Sequence, residues 1–466
     1  MNIFDDLEKY SRNTAIVTES SDQISYKVLL DAAGCIGKHI KKRCLVLFVC
    51  ENCFESIAGY LGFMRAKAVP ILINNTINNT FFASLIETYK PEYIFLPTKI
   101  SQSNFNFTPV YSYSSYTLLK TDYNIDYTLH EDLAVLLSTS GSTGSKKFVR
   151  QSYININSNA EAIAQYLDIT SSDRPITTMP MSYSYGLSII NSHFLKGASI
   201  ILTDATLIDR RFWEVISNNN ATTFGGVPYI YEMLKKLRFE NMNLPSLKYI
   251  TQAGGKLSAE LSAEFADICT NKGIEFYVMY GQTEATARMS YLPWKYAHTK
   301  VGSMGIAIPG GKFWLEDENK KIILKNDTTG ELVYQGDNVT MGYTESCFDL
   351  QNGDDNNRIL QTGDLAKRDA DGFYYITGRK KRFLKMYGNR VNLDEIEELL
   401  RTAGYDCICA GTDDNCKIYI TKLDDKDRIM SYITKHTGIN QSGFSFIYID
   451  KIPRNESGKV QYSALE

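Results

Sequence analysis

The sequence predicts an α/β protein built from layered, largely parallel sheets, because strand-sized apolar runs alternate along the chain with helix-like segments. The predicted strands are 45–50, 93–96, 133–137, 199–202 and 276–279, and the predicted helices are 53–66, 155–167 and 259–271. Such alternation is typical of parallel sheets covered by helices. In sheets of this kind, ligands are expected where the strands end and the loops begin.

Composition is compatible with a large protein of more than one domain. The chain has 466 residues, 44% of them hydrophobic, which is enough to bury an extensive core. Its 50 basic and 53 acidic side chains are well mixed, unlike the basic stripe of a nucleic-acid-binding protein. No secretory signal and no membrane-spanning apolar stretch is visible. We therefore expect a cytoplasmic protein that does not bind nucleic acid and does not span a membrane.

Cysteines and histidines give no clear metal signal. Cys50 and Cys53 have CxxC spacing, but a zinc site needs a second pair, and none follows. A redox pair at the start of a helix is one interpretation, and packing of two free thiols in a reducing compartment is the favoured one. The five histidines are isolated from one another, so no metal cluster is predicted.

The second half of the chain changes character twice. Residues 312–343 alternate short strands with Gly, Asp and Asn turns, which predicts a small antiparallel, barrel-like β region with strands at 313–315, 321–324 and 331–334. The basic sequence RKKRFLK then follows Gly378, before a predicted amphipathic helix at 393–401. We predict a large domain at 1–378, a hinge at 379–385 and a small, mobile α+β domain at 386–466.

The strongest local motif is LLSTSGSTGSKK, residues 136–147. A strand-like run ends in a loop of Ser, Thr and Gly whose backbone N–H groups and hydroxyls could approach a polyphosphate, and Lys147 adds charge. The spacing is not that of a Walker A loop. A flexible linker is the alternative, but a linker would not usually follow a buried strand and lead into a helix start. Phosphate binding is therefore favoured.

Two further motifs supply carboxylates. YGQTEA, residues 280–285, follows an apolar strand, and Glu284 beside hydroxyl donors suits Mg²⁺ held between protein and phosphates. In QTGDLAKRDADGFYYITGR, residues 361–379, Asp364 follows a glycine and could accept the two hydroxyls of a ribose. The guanidinium of Arg379 suits phosphate or ribose oxygens. The DADG within this segment also predicts a β-hairpin turn, and both interpretations can hold.

The last motif is PRNESGK, residues 453–459. Taken alone, it is a polar tail whose single lysine would be solvated. Lys459 could act in catalysis only if the small C-terminal domain carried it to the active site.

In this order and spacing, the four segments resemble the adenylate-forming superfamily, which includes acyl-CoA synthetases, aryl-CoA ligases, luciferases and the adenylation domains of nonribosomal peptide synthesis. The likeness covers nearly the whole chain, and further matching segments are PMSYSYGL (180–187), TTFGGVPYIYEML (222–234), ITQAGGKL (250–257), GELVYQGDNVTMGY (330–343) and GNRVNLDEIE (388–397). The resemblance implies that ATP and Mg²⁺ convert a small carboxylic acid into an acyl-adenylate with release of pyrophosphate. Transfer to a thiol would follow, either CoA or the phosphopantetheine arm of a carrier protein.

The resemblance also implies roles for individual residues. The ATP phosphates would be held by Thr139, Ser140, Gly141, Ser142, Thr143, Gly144 and Lys147. The adenine and acyl sites would be lined by Gly225, Gly226, Ala253, Gly254, Gly255, Tyr280 and Gly281, with Tyr183 and Tyr185 shaping the acid pocket. Thr283 would contact the α-phosphate, Glu284 would bind Mg²⁺, and Asp364 with Arg379 would bind the ribose. Lys459 would bridge the reacting carboxylate and the α-phosphate, and Lys381 falls at the hinge.

Departures from the family pattern argue against a simple fatty acyl-CoA assignment. Lys146 stands where proline is usual, Tyr153 and Tyr183 stand where histidine is common, and the C-terminal region is short. Two alternatives stay open. An amino-acid adenylating enzyme is disfavoured, because Tyr and Ser occupy the segment that would supply an aspartate for the substrate ammonium. A non-catalytic nucleotide sensor is disfavoured by the intact set of Lys147, Glu284, Asp364 and Lys459.

Overall fold

The structure is a computed structural model that describes residues 3–100, 107–138, 146–380, 382–387, 389–454 and 460–465. The chain divides into two compact units. The first unit comprises 1–302, 307–312 and 335–360, and the second comprises 303–306, 313–334 and 361–466. The hinge assigned to 379–385, and the domain limits on either side of it, stay predictions.

The elements of both units follow in chain order. The strands are β1 Thr14–Val17, β2 Gln23–Ser25, β3 Leu45–Cys50, β4 Val69–Asn74, β5 Tyr93–Pro97, β6 Thr108–Tyr113, β7 Tyr116–Lys120, β8 Leu133–Ser138, β9 Phe148–Ser152, β10 Ile200–Ile201, β11 Thr223–Gly226, β12 Tyr249–Gln252, β13 Glu275–Tyr280, β14 Ser290–Leu292, β15 Ile306–Ala307, β16 Lys312–Glu316, β17 Gly330–Gln335, β18 Tyr343–Thr344, β19 Ile359–Arg368, β20 Tyr374–Arg379, β21 Phe383–Met386, β22 Asn389–Asn392, β23 Cys407–Thr412, β24 Asn415–Ile420 and β25 Phe444–Tyr448. The α-helices are α1 Tyr26–Gly37, α2 Phe54–Arg65, α3 Asn79–Tyr89, α4 Tyr153–Tyr166, α5 Ser184–Leu195, α6 Arg210–Asn218, α7 Pro228–Lys236, α8 Ala259–Lys272, α9 Leu393–Thr402 and α10 Lys426–Thr437.

An eight-stranded sheet forms the core of the first unit, in the order β18-β9-β8-β4-β3-β5-β7-β6. Its centre is parallel, because β3 pairs with β4 and β5, and β4 pairs with β8, in the same direction. Every side chain of β3 is buried, as expected for a strand covered by helices on both faces. Since parallel strands end at one edge, Ser138 places the start of the predicted phosphate loop at the carboxyl edge of this sheet.

The expectation that this loop leads into a helix is wrong. Beyond Lys147 the chain forms β9, which runs antiparallel to β8 and pairs Phe148 with Ser138. All five residues of β9 are buried between β8 and β18, and burial on both faces favours an extended backbone there. Helix α4 begins only at Tyr153, after a capping box formed by Ser152 and Asn155.

A second sheet brings the other predicted segments of the first unit to one edge. Its order is β11-β12-β13-β14-β15, and β11, β12 and β13 are parallel. Gly226 pairs with Gln252, and Gln252 pairs with Val278, so β11 and β12 end level with each other and β13 continues to Tyr280 at the same edge. The segments 225–226, 253–255 and 280–284 therefore gather at the same carboxyl edge.

The second unit contains a four-stranded sheet in the order β16-β17-β19-β20 and a three-stranded sheet in the order β23-β24-β25. The DADG hairpin is confirmed, since β19 and β20 pair antiparallel and Gly372 adopts a positive φ of 88° in the turn between them. The strand predicted at 321–324 is wrong. Only Ile322 forms a bridge there, and Ile322 and Leu324 are 60% and 80% exposed, without a buried face to pack against.

The alternation of strands and helices confirms the predicted α/β class. Within the described ranges, no helix is both long and apolar enough to cross a membrane. Cys50 and Cys53 carry free thiols, and burial raises the pKa of both. This favours packing thiols over a reactive pair.

Candidate active site

A tight turn presents Thr283 and Glu284 directly after β13. The residues Thr283–Ala285 form a single turn of 3₁₀ helix, and the chain returns so that the Met289 N–H donates to the Tyr280 carbonyl at 2.9 Å. Gly281 is required here, because a Cβ at this position would lie 1.8 Å from the Ala287 carbonyl oxygen. The turn therefore projects its side chains beyond the edge of the sheet.

Buried side chains fix the backbone of this turn. The Asn338 side-chain amide donates to the carbonyls of Ala285 and Arg288 at 2.9 and 3.1 Å. The Thr340 hydroxyl donates to the Glu284 carbonyl at 2.9 Å, and the Asn159 amide adds a 2.8 Å bond to the Arg288 carbonyl. Each bond satisfies a carbonyl that the turn leaves outside regular secondary structure. The position of Glu284 is thus set by groups from distant parts of the chain.

Tyr343, the first residue of β18, connects Glu284 with Lys147. Its hydroxyl donates to Glu284 Oε1 at 2.7 Å, and Lys147 Nζ lies 3.9 Å from the centroid of its ring. Lys147 Nζ also lies 3.6 Å from Glu345 Oε1. Burial and the neighbouring Glu284 raise the pKa of Tyr343, so its hydroxyl stays protonated and remains a donor at neutral pH. One tyrosine therefore holds a predicted metal ligand and a predicted phosphate ligand close together.

Thr283 lies beside the start of helix α5. Its Oγ1 is 3.2 Å from the Oγ of Ser184, the first residue of α5, and both residues are buried. Two adjacent hydroxyls at a helix N-terminus are suitable donors for an anionic oxygen. The role of Thr283 at the α-phosphate stays a prediction.

The predicted acid-pocket residues form an aromatic wall at the second sheet. Tyr183 and Tyr185 pack edge to face with centroids 6.3 Å apart, and they share one apolar cluster with Ala253. The Tyr185 hydroxyl donates to the Thr251 carbonyl at 2.9 Å. Gly225 lies against this ring, because a Cβ there would be 2.7 Å from the Tyr185 hydroxyl oxygen.

The remaining predicted residues of this edge surround the same wall. A Cβ on Gly226 would meet the Ile230 side chain at 2.6 Å, and one on Gly255 would meet Pro228 at 3.1 Å. Gly254 has a positive φ of 83°, which a side chain would strain. Tyr280 lies at the end of β13, and its hydroxyl accepts a hydrogen bond from the Gln282 amide at 3.1 Å.

Asp364 and Arg379 lie in the second unit and contact each other. They are cross-strand partners in the β19–β20 ladder, and Arg379 Nε is 3.3 Å from Asp364 Oδ1. The Asp364 side chain is buried, whereas that of Arg379 is exposed. The Arg379 N–H donates to Asp394 Oδ2 of helix α9 at 3.0 Å. The structure thus brings the two predicted ribose ligands together.

Several predicted residues lie outside the described part of the chain: Thr139, Ser140, Gly141, Ser142, Thr143, Gly144, Lys381 and Lys459. Their roles stay predictions. In the ranges that the structure describes, no group of three or more His, Cys, Asp or Glu side chains is arranged to bind a metal ion. A single carboxylate such as Glu284 still fits Mg²⁺, because this ion is usually held by one or two carboxylates together with substrate phosphates.

Sequence reasoning missed several residues that the structure brings to this site, including Ser184 and Asn159. Asn338, Thr340 and Tyr343 lie in the segment 330–343, which carried the family resemblance but received no individual role. Arg288 was also missed. The only signal in the sequence is a single charge within the small and apolar segment ATARMSYL.

A family model described as "AMP-binding enzyme" matches residues 3–344. The chain belongs to the AMP-binding enzyme family. This confirms the predicted resemblance to the adenylate-forming superfamily and the prediction that the protein is an enzyme.

Relatives within the AMP-binding family extend over most of the chain. The medium-chain fatty-acid–CoA ligase of Escherichia coli (strain K12) is 25% identical over 96% of this chain and 86% of its own length. The 2-succinylbenzoate–CoA ligase of Bacillus cereus (strain AH820) is 27% identical over 83% of this chain and 79% of its own length. Both are ligases that use CoA, as their names state.

The fold is similar to that of o-succinylbenzoate CoA synthetase (MenE) from Bacillus subtilis, solved with the acyl-adenylate OSB-AMP. The TM-score is 0.81 at 20% identity, covering 100% of this chain and 98% of the other. The same synthetase with ATP and a magnesium ion gives a TM-score of 0.79 at 20% identity, covering 100% of this chain and 99% of the other.

Proposed function

We propose that this protein uses ATP and Mg²⁺ to convert a carboxylic acid into an acyl-adenylate and then transfers the acyl group to the thiol of CoA. The observation that carries the proposal is the arrangement of Glu284, Tyr343 and Lys147 beside Thr283. This arrangement combines a carboxylate for Mg²⁺, a cation for phosphates and hydroxyl donors where β18 of the eight-stranded sheet meets the turn after β13. Relatives named as CoA ligases support CoA as the acceptor.

In the first step, a carboxylate oxygen attacks the α-phosphorus of ATP. The bond from that phosphorus to the bridging oxygen breaks, and pyrophosphate leaves. No general base is needed because the nucleophile is already ionised. Catalysis then depends on in-line positioning and on charge stabilisation. Mg²⁺ would neutralise charge on the phosphates, and Glu284 would hold it.

The protein side chains supply the remaining stabilisation of the first step. Lys147 and the segment 139–144 would bind the β- and γ-phosphates. Thr283 would donate to an oxygen of the α-phosphate, with Ser184 orienting its hydroxyl at 3.2 Å. Lys459 would attract both the incoming carboxylate and the α-phosphate. Asp364, held by Arg379, would accept hydrogen bonds from the ribose hydroxyls.

In the second step, the thiol releases its proton to water and its sulfur attacks the acyl carbon. A C–S bond forms, the bond from that carbon to the oxygen shared with the phosphate breaks, and AMP leaves with the former carboxylate oxygen. The phosphopantetheine arm of a carrier protein offers the same thiol, so it is the alternative acceptor. Incubating the enzyme with ATP, acid and either CoA or a phosphopantetheinylated carrier distinguishes the two. We expect thioester formation with CoA, and formation with the carrier alone would overturn that part of the proposal.

The test of the first step is acid-dependent exchange of pyrophosphate into ATP with a panel of carboxylic acids and amino acids. We expect exchange with at least one carboxylic acid. Tight ATP binding without exchange by any acid would instead identify a nucleotide sensor. Exchange with amino acids alone would identify an amino-acid adenylating enzyme.

Lys459→Ala is the most informative variant for this test. Removing a cation from the developing charge should lower the exchange rate on the order of 100-fold, while the far-ultraviolet circular dichroism stays unchanged. Lys451→Ala is the matched control, because Lys451 is an exposed lysine eight residues earlier in the same tail. Exchange at the full rate by Lys459→Ala would show that the role given to Lys459 is wrong.

A further inference from the structure

A buried guanidinium lies in the wall of the predicted acid pocket. Arg288 is 2% exposed. Its Nη1 donates to the Tyr166 hydroxyl at 3.0 Å and lies 3.4 Å from Met279 Sδ. The guanidinium carbon is 5.1 Å from the centroid of the Tyr185 ring. Tyr185 and Met279 belong to the same apolar cluster as Ala253, so the cation is part of the wall described above.

This cation has no counter-ion in the described part of the chain. Among the described residues, its hydrogen bonds are donated by Nη1, and the buried Nε has no acceptor. The ionisable groups with the largest effect on its pKa are tyrosines. Burial raises the pKa of Tyr166 and Tyr185, which keeps both hydroxyls neutral at pH 7.

Two other groups near the pocket do not neutralise the charge. His193 is fully buried, and burial lowers its pKa to about 4, so it is uncharged at neutral pH. Asp173 is the carboxylate that acts electrostatically on His193 and Tyr249. Its Oδ1 is paired with Lys248 Nζ at 2.9 Å. The positive charge of Arg288 is therefore left for a ligand to neutralise.

An arginine in this position is costly without such a ligand. Taking a guanidinium out of water is strongly unfavourable unless an anion pairs with it, and an apolar side chain of similar volume would pack without that penalty. Guanidinium also binds carboxylates and phosphates in a bidentate manner. A mostly apolar, aromatic pocket with one convergent charged group is the usual form of a specific small-molecule site.

The guanidinium contacts different residues from those at the place where adenylation would occur. Thr283, the predicted α-phosphate ligand, follows the end of β13. Arg288 instead contacts Met279, which lies within β13, and Tyr166, the last residue of α4. A carboxylate positioned by Thr283 would therefore leave the guanidinium to a different part of the same molecule.

We propose that Arg288 binds a second anionic group of the acid substrate, which deepens the proposed function and rests on it. The substrate class is then a compact acid with two acidic groups. One carboxylate is adenylated at Thr283, and the other group, a carboxylate or similar anion, pairs with Arg288. Arg288 is a specificity-determining residue in this arrangement.

The test compares acids in pairs that share one carbon skeleton with and without the second carboxylate, both aromatic and straight-chain. The wild type should show higher kcat/KM in pyrophosphate exchange for the diacid of at least one pair. Arg288→Met should lower kcat/KM for that diacid on the order of 100-fold, because the buried anion loses its partner, and should leave the monoacid unchanged or improved. Arg288→Lys keeps the charge, so its kcat/KM for the diacid should lie between those of the wild type and Arg288→Met.

Two outcomes would overturn the inference: a wild type that prefers the monoacid in every pair, or an Arg288→Met variant that loses activity equally on both members. Arg210→Met is the control, since Arg210 is an exposed arginine of the same unit, and it should leave the preference unchanged. If Arg288→Met does not fold, Arg288→Lys and the wild-type preference decide the question.

Binding gives a readout that does not depend on turnover. The diacid should raise the Tm of the wild type more than that of Arg288→Met or Arg288→Lys, and equal shifts would overturn the inference. A wild type that activates no acid but still shows this difference would contradict the proposed function while supporting the role of Arg288. Pyrophosphate exchange without any preference for a diacid would support the proposed function and contradict the role of Arg288.

Discussion

At the scale of single residues, the hydroxyl and the ring of Tyr343 have separable tasks. The hydroxyl orients Glu284, and the ring lies under Lys147. Tyr343→Phe removes only the hydroxyl, so we expect the KM for MgATP to rise roughly tenfold, in line with the loss of a hydrogen bond to a charged group. Steady-state pyrophosphate exchange at varied MgATP measures this effect.

The ring is tested separately with Tyr343→Leu. Without an aromatic face, Lys147 also loses its cation–π contact. Tyr343→Leu should therefore have a higher KM for MgATP than Tyr343→Phe. Tyr229→Phe, which changes an exposed tyrosine of α7, is the control for loss of a hydroxyl. Equal KM values for Tyr343→Phe and the wild type would show that Glu284 does not need this hydrogen bond.

At the scale of elements, the turn after β13 owes its shape to partners that are distant in sequence. Asn338→Ala would remove a buried donor from both the Ala285 and the Arg288 carbonyl, and the Arg288 carbonyl would keep only the Asn159 amide. We expect a loss of about 2 kcal/mol in the free energy of unfolding and at least about a tenfold fall in kcat, because Thr283 and Glu284 would be less well positioned. Urea denaturation and pyrophosphate exchange measure the two effects.

The matched control for that variant is Asn218→Ala, an exposed asparagine at the end of α6. It should leave stability and kcat unchanged. An Asn338→Ala protein with lower stability but wild-type kcat would mean that the turn keeps its geometry without this amide.

Sequence reasoning succeeded where one element carries its own signal. Continuous apolar runs predict the parallel strands, and β3 was predicted with its observed limits. The prediction failed where contacts with neighbouring elements determine whether a segment forms a strand or a helix. A run such as 321–324 becomes a strand only if a partner covers it, and β9 is extended because β8 and β18 flank it. The roles of the Asn338 amide and the Arg288 charge depend on contacts with the turn after β13 and with α4, which the sequence alone does not show.

At the scale of the whole molecule, His193 makes stability depend on pH. Its Nδ1 lies 2.8 Å from the Ile189 carbonyl and must carry the proton, so Nε2 accepts from the Tyr249 hydroxyl at 3.3 Å. Burial lowers the pKa of His193 to about 4 from the ordinary value of 6.5. Below pH 6.5 the unfolded chain binds a proton that the folded chain refuses, so stability is lost as the pH falls.

We expect the free energy of unfolding to fall by about 1 kcal/mol between pH 7.5 and pH 5.5 through this group alone. His193→Gln removes the titration and should flatten the dependence by that amount in urea denaturation. His298→Gln changes a histidine with 43% side-chain exposure in the same unit and is the control. An unchanged slope in His193→Gln would assign the pH dependence to other groups.

The first unit is discontinuous along the chain, and this affects the order in which the site is synthesised. A nascent chain that has reached residue 302 already contains Glu284 and Arg288, but the segment 335–360 that supplies Asn338, Thr340 and Tyr343 has yet to be translated. The turn after β13 must therefore wait for its anchors while the ribosome makes part of the second unit. A fragment that ends before Asn338 would carry the predicted catalytic motif without Asn338, Thr340 and Tyr343, so separated halves of this enzyme are expected to be inactive until they are combined.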